Sequence, residues 1–329
     1  MLDTSPPAIG VDLMSLTLAF VMDPIERVLV SADTSFAFML EAFGRGHRVV
    51  HVNPADVHLR GDRVFVAGHD IEVFDREGEH FRIREQVHLD ATAYDAIFIR
   101  TDPPFDQAYV TLTWLLSFAE KQGVWVINSP RGLRSANEKL YALEFLDLCP
   151  RTLVSNSHDE VRDFIKEVGG EAIVKPLDGH GGFGVMCLRH GDSNMHAIVD
   201  TLTLEGVQPV MVQEYLPEGA SGDKRLFLIN GELCGAVLRV PPADDHRSNV
   251  HVGGQVHTCE IDARDRVIAQ SMSQRLRTDG LFFVGIDVIG GKLIEVNVTS
   301  PTLVRELKRL GGPDLAAKMM GAVEKSVSR

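Results

Sequence analysis

The sequence holds only four cysteines, Cys149, Cys187, Cys234 and Cys259, and no two of them form a CxxC pair. That spacing excludes the usual zinc and dithiol patterns and reads as reduced core residues of a cytoplasmic protein. Thirteen histidines are scattered without an HExxH or comparable spacing, so none is assigned to a metal. Positive charge is short as well: 33 Lys and Arg stand against 46 Asp and Glu, a formal net charge of −13. This argues against nucleic acid, which needs a basic face, but a phosphate pocket needs only a few converging cations. No run reaches the roughly 18–20 apolar residues of a membrane span. Residues 1–15, with Asp3, Pro6, Pro7 and Asp12 and no basic cluster, do not read as a secretory signal and are set apart as a tail. Two nucleotide fingerprints are missing: there is no GK[ST] to complete a P-loop, and FVMDPIER rather than GxGxxG follows the first strand.

What is present is the composition of a folded globular chain, 44% hydrophobic and 24% charged, with a mean hydropathy near zero. At 329 residues it is too long for one ordinary core and calls for two or three packed units. Strand-like runs at 16–22, 48–52, 95–99 and 124–127 alternate with helical runs at 34–43 and 107–121. Such alternation implies a mostly parallel sheet covered on its faces. Residues 58–90 break the pattern and read as an inserted hairpin or long excursion. Past residue 136 the pattern changes: a helix is expected over 137–146, then short strands around a glycine-rich turn. A hairpin over 224–240 turns on Asn230-Gly231, the pair that suits a type I′ turn. A polar loop over 241–254 has the length of a functional lid. A helix over 263–279, a second hairpin over 283–298 and closing helices complete the chain.

The sharpest chemical signal is VGIDVIGGKLIEVNVTS, 284–300. Glu295 and Asn297 are two apart on one strand and share a face. Asp287 joins them only if the hairpin carries an odd residue, in a three-residue turn or a bulge, and that odd-length turn is predicted. Two carboxylates and an amide oxygen would then converge, the hard oxygen set that suits Mg²⁺ beside phosphate. A solvent-facing polar stripe is the plainer alternative. Against it, Val284, Ile286, Val288, Ile294, Val296 and Val298 make the hairpin half buried, and buried carboxylates need a cation. The second signal is IVKPLDGHGGFG, 173–184, where Lys175 precedes four glycines in a six-residue window. Without Cβ atoms such a loop can aim several backbone N–H groups at one anion; it can also be a mere connector. Lys139, Arg225, Arg239 and Arg247 form a set of candidate cations. A plain two-residue turn puts Arg225 and Arg239 on opposite faces, and a bulge would bring them together. RTDPPFD, 100–106, follows a strand end where α/β sheets bind ligands, and is read equally as a rigid structural stop.

Taken in order, FVMDPI, RTDPPFD, NSPRGLRSANEKL, VKPLDGHGG, QEYLP, GDKR, the loop ending VGG, and EVNVTSPT are similar to segments of the bacterial glutathione synthetases. The likeness spans residues 18–324. The resemblance implies an ATP-grasp fold of α/β and α+β parts: an N-terminal parallel-sheet domain at 16–136, a lid subdomain at 137–216 and a catalytic subdomain at 217–329. It implies ATP and two Mg²⁺ ions, with Mn²⁺ as a possible substitute. Asp287, Glu295 and Asn297 would be the metal ligands. It assigns Lys139 and Lys175 to the nucleotide, Gly181 and Gly182 to the phosphate-covering loop, and Glu214, Tyr215 and Leu216 to the strand facing adenine. Arg225 and Arg239 would meet the phosphate or acyl-phosphate region. Arg247, Asn249, Gly253 and Gly254 would belong to a closing loop, and Ser300 would border the glycine site. The implied reaction joins γ-glutamylcysteine to glycine through an acyl phosphate, in a homotetramer. Another ATP-grasp carboxylate–amine ligase is the alternative. A nucleotide-binding regulatory module is disfavoured by the full metal triad. The chain departs from the family at Thr101, where Lys is common. It departs again in RSNVHVGG, with Ser248 for Gly and His251 for Ala, and carries Glu214 where Asn can stand.

Overall fold

The computed structural model describes residues 15–242, 247–248 and 253–327. The first alternating stretch folds as β1 (Thr17–Val21), α1 (Thr34–Gly44), β2 (Arg48–Val52), β3 (Val57–Arg60), β4 (Arg63–Val73), β5 (Phe81–Asp90), β6 (Ala96–Ile99), α2 (Gln107–Lys121), β7 (Trp125–Ile127) and α3 (Pro130–Ser135). Both long helices start where a carboxylate takes an orphan amide: Asp33 accepts from Phe36 N at 2.7 Å and Asp106 from Tyr109 N at 2.9 Å. Strands β2, β1, β6 and β7 lie side by side and parallel, as near-continuous apolar runs with helices packed on them. The chain leaves β1 toward β2 and leaves β6 toward β7, so the order reverses between β1 and β6. The excursion at 58–90 is an antiparallel meander, with β4 pairing β2, β3 and β5.

A second, antiparallel sheet has the order β10-β9-β11-β8, from β8 (Thr152–Ser155), β9 (Glu171–Pro176), β10 (Met186–Arg189) and β11 (Val210–Glu214). Helices α4 (His158–Glu167) and α5 (Met195–Thr203) cover one face of it. Val161, Ile165, Val174, Val199 and Val212 form its core, and no residue of the other two sheets enters that cluster. Its opposite face carries Lys175 and Gln213, which is the strand alternation at work.

A third sheet, also antiparallel, runs β14-β13-β12-β15-β16, from β12 (Asp223–Ile229), β13 (Glu232–Val240), β14 (Gln255–Thr258), β15 (Phe283–Ile289) and β16 (Lys292–Asn297). Helices α6 (Ala263–Thr278), α7 (Val304–Arg309) and α8 (Leu315–Val327) pack around it. One face, with Leu226 and Ile286, packs on α6. The other divides along its length. Phe227 and Phe283 seal one end against Phe38 of α1 and Phe98 of β6, and the charged residues of the site occupy the other end.

Asn128, just past β7, pins the first sheet to the third. Its Nδ2 donates to Phe283 O at 2.8 Å and Val298 O at 2.7 Å, and its Oδ1 accepts from Phe282 N and Phe283 N at 2.8 Å each.

One expectation is corrected and a second is narrowed to one of its two forms. The helix expected over 137–146 is a 3₁₀ helix at Leu140–Leu148, broken by a non-helical Phe145. Asn137 stays outside it because its side-chain oxygen accepts from Lys139 N and Leu140 N at 3.1 and 3.0 Å, a local turn that competes with helix. The second hairpin has no odd-length turn: Gly290 and Gly291 form a two-residue turn with φ of 55° and 72°, values that glycine adopts freely.

Candidate active site

The odd residue sits in the strand instead. The β15–β16 ladder slips between Asp287 and Val288, so that Val288 faces Leu293, Asp287 faces Glu295, and Ile294 is the bulge. Asp287, Glu295 and Asn297 therefore share one face. The β12–β13 hairpin slips in the same way between Phe227 and Leu228, putting Val237 opposite Arg225 and Arg239 opposite Asp223. That bulge settles the open question of the two arginines: both lie on the face that carries Asp287.

Asp287 is the hub. Its Oδ1 accepts from Arg225 Nε at 2.6 Å and its Oδ2 from Arg225 Nη2 at 3.0 Å. Arg239 Nη2 lies 2.9 Å from the same Oδ2, and Asn297 Nδ2 donates to it at 3.2 Å. Burial pushes the Asp287 carboxyl up, but the two guanidiniums outweigh it and hold it well below the ordinary carboxylate range. Arg239 also grips Asp223 at 2.6 and 2.7 Å. Gly285, across from Phe227, makes room for this: a Cβ there would stand 2.9 Å from Arg225 Cδ and 3.1 Å from Pro301 Cβ.

Lys139, just before the 3₁₀ helix, and Lys175, on β9, are both buried beside this hub. Lys139 Nζ lies 3.2 Å from Glu295 Oε1 and donates to Gly179 O; Lys175 Nζ reaches Ile294 O at 3.5 Å. Burial lowers the Lys175 pKa to about 8, with Lys139 adding to the fall and Glu295 opposing it. Beside Lys139, Glu138 accepts from Val298 N, Thr299 N and Thr299 Oγ1 at 2.8, 3.0 and 2.9 Å.

Two chambers open onto this hub. One, of about 480 Å³, lies between the second and third sheets, with Lys139, Lys175, Gly181, Gly182 and the 214–216 strand end (Glu214, Tyr215, Leu216) in its lining. Arg247 joins the lining from the long loop and donates from Nη1 to Gly182 O at 3.2 Å. The other, of about 400 Å³, faces the first sheet and includes Asp33, Asp102, Arg225, Asn297, Ser300 and Glu306. Arg239, Glu295, His180 and Gly181 belong to both. Gly253 and Gly254 line neither chamber, and Asn249 lies outside the described residues. Lys224 points to the opposite face, onto Asp262 and Asp265 at 2.7 Å each. RTDPPFD divides between its two readings: Arg100 is a buried strut to Ser35 Oγ and Pro301 O, while Asp102 faces the second chamber.

Two of the three expected ligands fit a hard divalent cation as they stand, and Asp287, with both oxygens held by Arg225, Arg239 and Asn297, would have to turn one of them to join. Glu295 offers the oxygen not engaged by Lys139, and Asn297, with its nitrogen turned to Asp287, leaves its carbonyl oxygen for a ligand. Sequence reasoning missed Glu138, Asp223 and Asp33. Glu138 had a signal in its place beside Lys139 in NEKL, and Asp223 in its place two before Arg225 in GDKR; Asp33 had none.

Known proteins give the geometry a family. The family model of the prokaryotic glutathione synthetase N-terminal domain matches residues 16–134, and that of its ATP-grasp domain matches 138–312. The chain belongs to the prokaryotic glutathione synthetase family. Glutathione synthetase of Rhodopseudomonas palustris is 43% identical over 311 residues, covering 94% of this chain and 99% of that protein. That of Synechococcus elongatus is 42% identical over 323 residues, covering 95% and 100%. The fold is also that of D-cycloserine synthetase, with a TM-score of 0.63 at 17% identity and coverage of 94% and 99%. Like other glutathione synthetases, the chain is thus an ATP-grasp carboxylate–amine ligase. Among the described residues no helix is long and apolar enough to cross a membrane.

Proposed function

We propose that the chain joins γ-glutamylcysteine to glycine with ATP, giving glutathione, ADP and phosphate. The observation that carries this reading is the meeting of two chambers at Arg239 and Glu295. One is lined by the glycine-rich loop and two lysines, and the other is rich in charged groups. A phosphoryl group passed from one to the other would cross the Asp287–Arg225–Arg239 cluster.

In this reading the adenine lies along Glu214, Tyr215 and Leu216, and the phosphates lie under Gly181 and Gly182 between Lys139 and Lys175. The cysteinyl carboxylate attacks the γ-phosphorus; a P–O bond forms and the bond to ADP breaks. The glycine amine then attacks the acyl carbon and loses a proton, and phosphate leaves with the bonding pair. Little covalent help is needed, so the protein's part is positioning and charge neutralisation. Arg225 and Arg239, fixed by Asp287 and Asp223, face the charge that develops between the chambers. Asp287, Glu295 and Asn297 would hold two Mg²⁺ ions, or Mn²⁺ in their place, which would neutralise the phosphates. Arg247, tied to the glycine-rich loop, closes the cleft with Gly253 and Gly254 and keeps water from the acyl phosphate. Ser300 borders the amine acceptor. The proposed units are 16–136, 137–216 and 217–329, each built around one of the three sheets, working as a homotetramer in the cytoplasm.

The test is mass spectrometry of the products formed from ATP, Mg²⁺, γ-glutamylcysteine and glycine. Glutathione and ADP in equal amounts are expected. ADP release with another acid or amine, and none with this pair, would replace this reading with another ligase of the same fold.

A further inference from the structure

β16 is an edge strand of the third sheet: β15 pairs with one side of it, and among the described residues no strand pairs with the other. Its alternation places Glu295 and Asn297 in the chamber walls and buries Val296 and Val298 behind them. The bulge at Ile294 interrupts the ladder immediately before Glu295, and the strand ends at Asn297. Pairing with β15 alone would therefore leave both side chains loosely held. The outer side is filled by Glu138, which lies 160 positions before Val298. Val296 N donates to the backbone oxygen of Glu138 at 2.8 Å. Val298 N, Thr299 N and Thr299 Oγ1 all donate to its side-chain Oε1, at 2.8, 3.0 and 2.9 Å. Glu138 thus grips the backbone on both sides of Asn297. The next residue, Lys139, places Nζ 3.2 Å from Glu295 Oε1. A single dipeptide fixes both the backbone of this strand end and the lysine beside it.

We propose that Glu138 is a positioning residue for the metal site, a clamp that aims Glu295 and Asn297 at the cation and keeps Lys139 in register with them. This rests on the reading of Asp287, Glu295 and Asn297 as metal ligands given above. Glu138 acts through the strand it holds and touches neither cation nor substrate. One oxygen takes all three side-chain bonds, so the clamp requires an acceptor at the place of Oε1, and the length of the side chain matters more than its charge. Groups that orient a metal's ligands are worth about 10- to 100-fold in metal affinity. The unpaired edge of β16 is thereby put to use: a strand bonded on both sides could not admit a segment that also carries a phosphate-binding lysine.

The experiment titrates Mn²⁺ into the full chain, held in excess over a non-hydrolysable ATP analogue, and reads free Mn²⁺ by electron paramagnetic resonance. Two variants separate reach from charge. Glu138→Asp keeps the charge but draws the acceptor back by one methylene, and should raise the Mn²⁺ dissociation constant by on the order of tenfold. Glu138→Gln keeps an acceptor oxygen at full reach without the charge, and should stay closer to the unmodified protein. The unfolding midpoint of each variant is measured alongside. A merely structural role would lower that midpoint and leave Mn²⁺ affinity of the folded protein in place, and that result overturns the clamp. So does a Gln variant impaired as much as the Asp variant or more, because the carboxylate charge would then be what the site needs. An unmodified protein that takes up no Mn²⁺ with the analogue overturns the metal reading itself, and the clamp with it.

Discussion

Arg239 stands directly across the ladder from Asp223 and binds it through both Nε and Nη2, while the same Nη2 reaches Asp287 at 2.9 Å. One guanidinium thus bridges two buried carboxylates from neighbouring strands. Removing one partner of such a pair leaves a charge buried and underpaired, which costs about 3–5 kcal/mol. Asp223→Ala is expected to lower the unfolding free energy by that amount in urea titration and to lower kcat. An unfolding midpoint equal to that of the unmodified protein would contradict the pairing.

Gly285→Ala tests the same cluster from behind. The added Cβ would press on Arg225 Cδ, which cannot swing away while Asp287 holds both ends of its guanidinium. A displacement of this kind should cost at least about tenfold in kcat, since small misplacements at a reacting centre are expensive. Far-ultraviolet circular dichroism should stay unchanged.

Glu295→Gln removes the charge of a proposed metal ligand and the partner of Lys139 in one step. Ligation should fall by at least on the order of 10²-fold, comparable to losing one preorganised electrostatic group. Added Mg²⁺ should recover only part of the loss, and the fold should persist. Normal turnover in this variant would remove Glu295 from the metal site.

Lys175 supplies a pH test. With its pKa lowered to about 8 by burial, it is charged below that pH and neutral above it. ATP affinity should therefore weaken as pH rises through about 8. A bound triphosphate favours the charged form, so binding at about pH 8.5 should take up a proton. Calorimetry in buffers of different ionisation enthalpy measures that uptake, and Lys175→Met should abolish it.

Asn128→Ala strips four hydrogen bonds from the junction of the first and third sheets. Each buried group left without a partner costs about 1–3 kcal/mol. Some regain water, so a net loss of at least about 2 kcal/mol is expected, read as a fall in Tm. The KM for ATP should hardly move, because Asn128 does not line the chamber proposed for the nucleotide.

The sequence revealed strands and helices wherever periodicity was strong: β2 and α2 fall on the expected residues, and the Asn230-Gly231 turn carries positive φ at both positions. It revealed which oxygen-bearing residues could share a face, but not how. Whether Asp287 meets Glu295, and whether Arg239 joins Arg225, depends on single bulged residues, Ile294 and Cys234, which are ordinary strand formers with no local mark. Glu138 and Asp33 escaped notice for a different reason. Each looks like a routine helix-start acid, and only the packing of distant segments gives it a second neighbour. Asn137 continues a helical pattern in the sequence but stays outside the helix, because its side chain competes with the backbone for the same amides.

The middle sheet keeps a hydrophobic interior to itself, whereas the outer two share theirs and are stapled through Asn128. Any opening of the cleft that keeps these cores intact would have to move the middle sheet alone. In such a movement the floor that carries Asp287, Arg225 and Arg239 would stay with the N-terminal unit as a fixed anvil, and only Lys175, the glycine-rich loop and their companions would have to return to it.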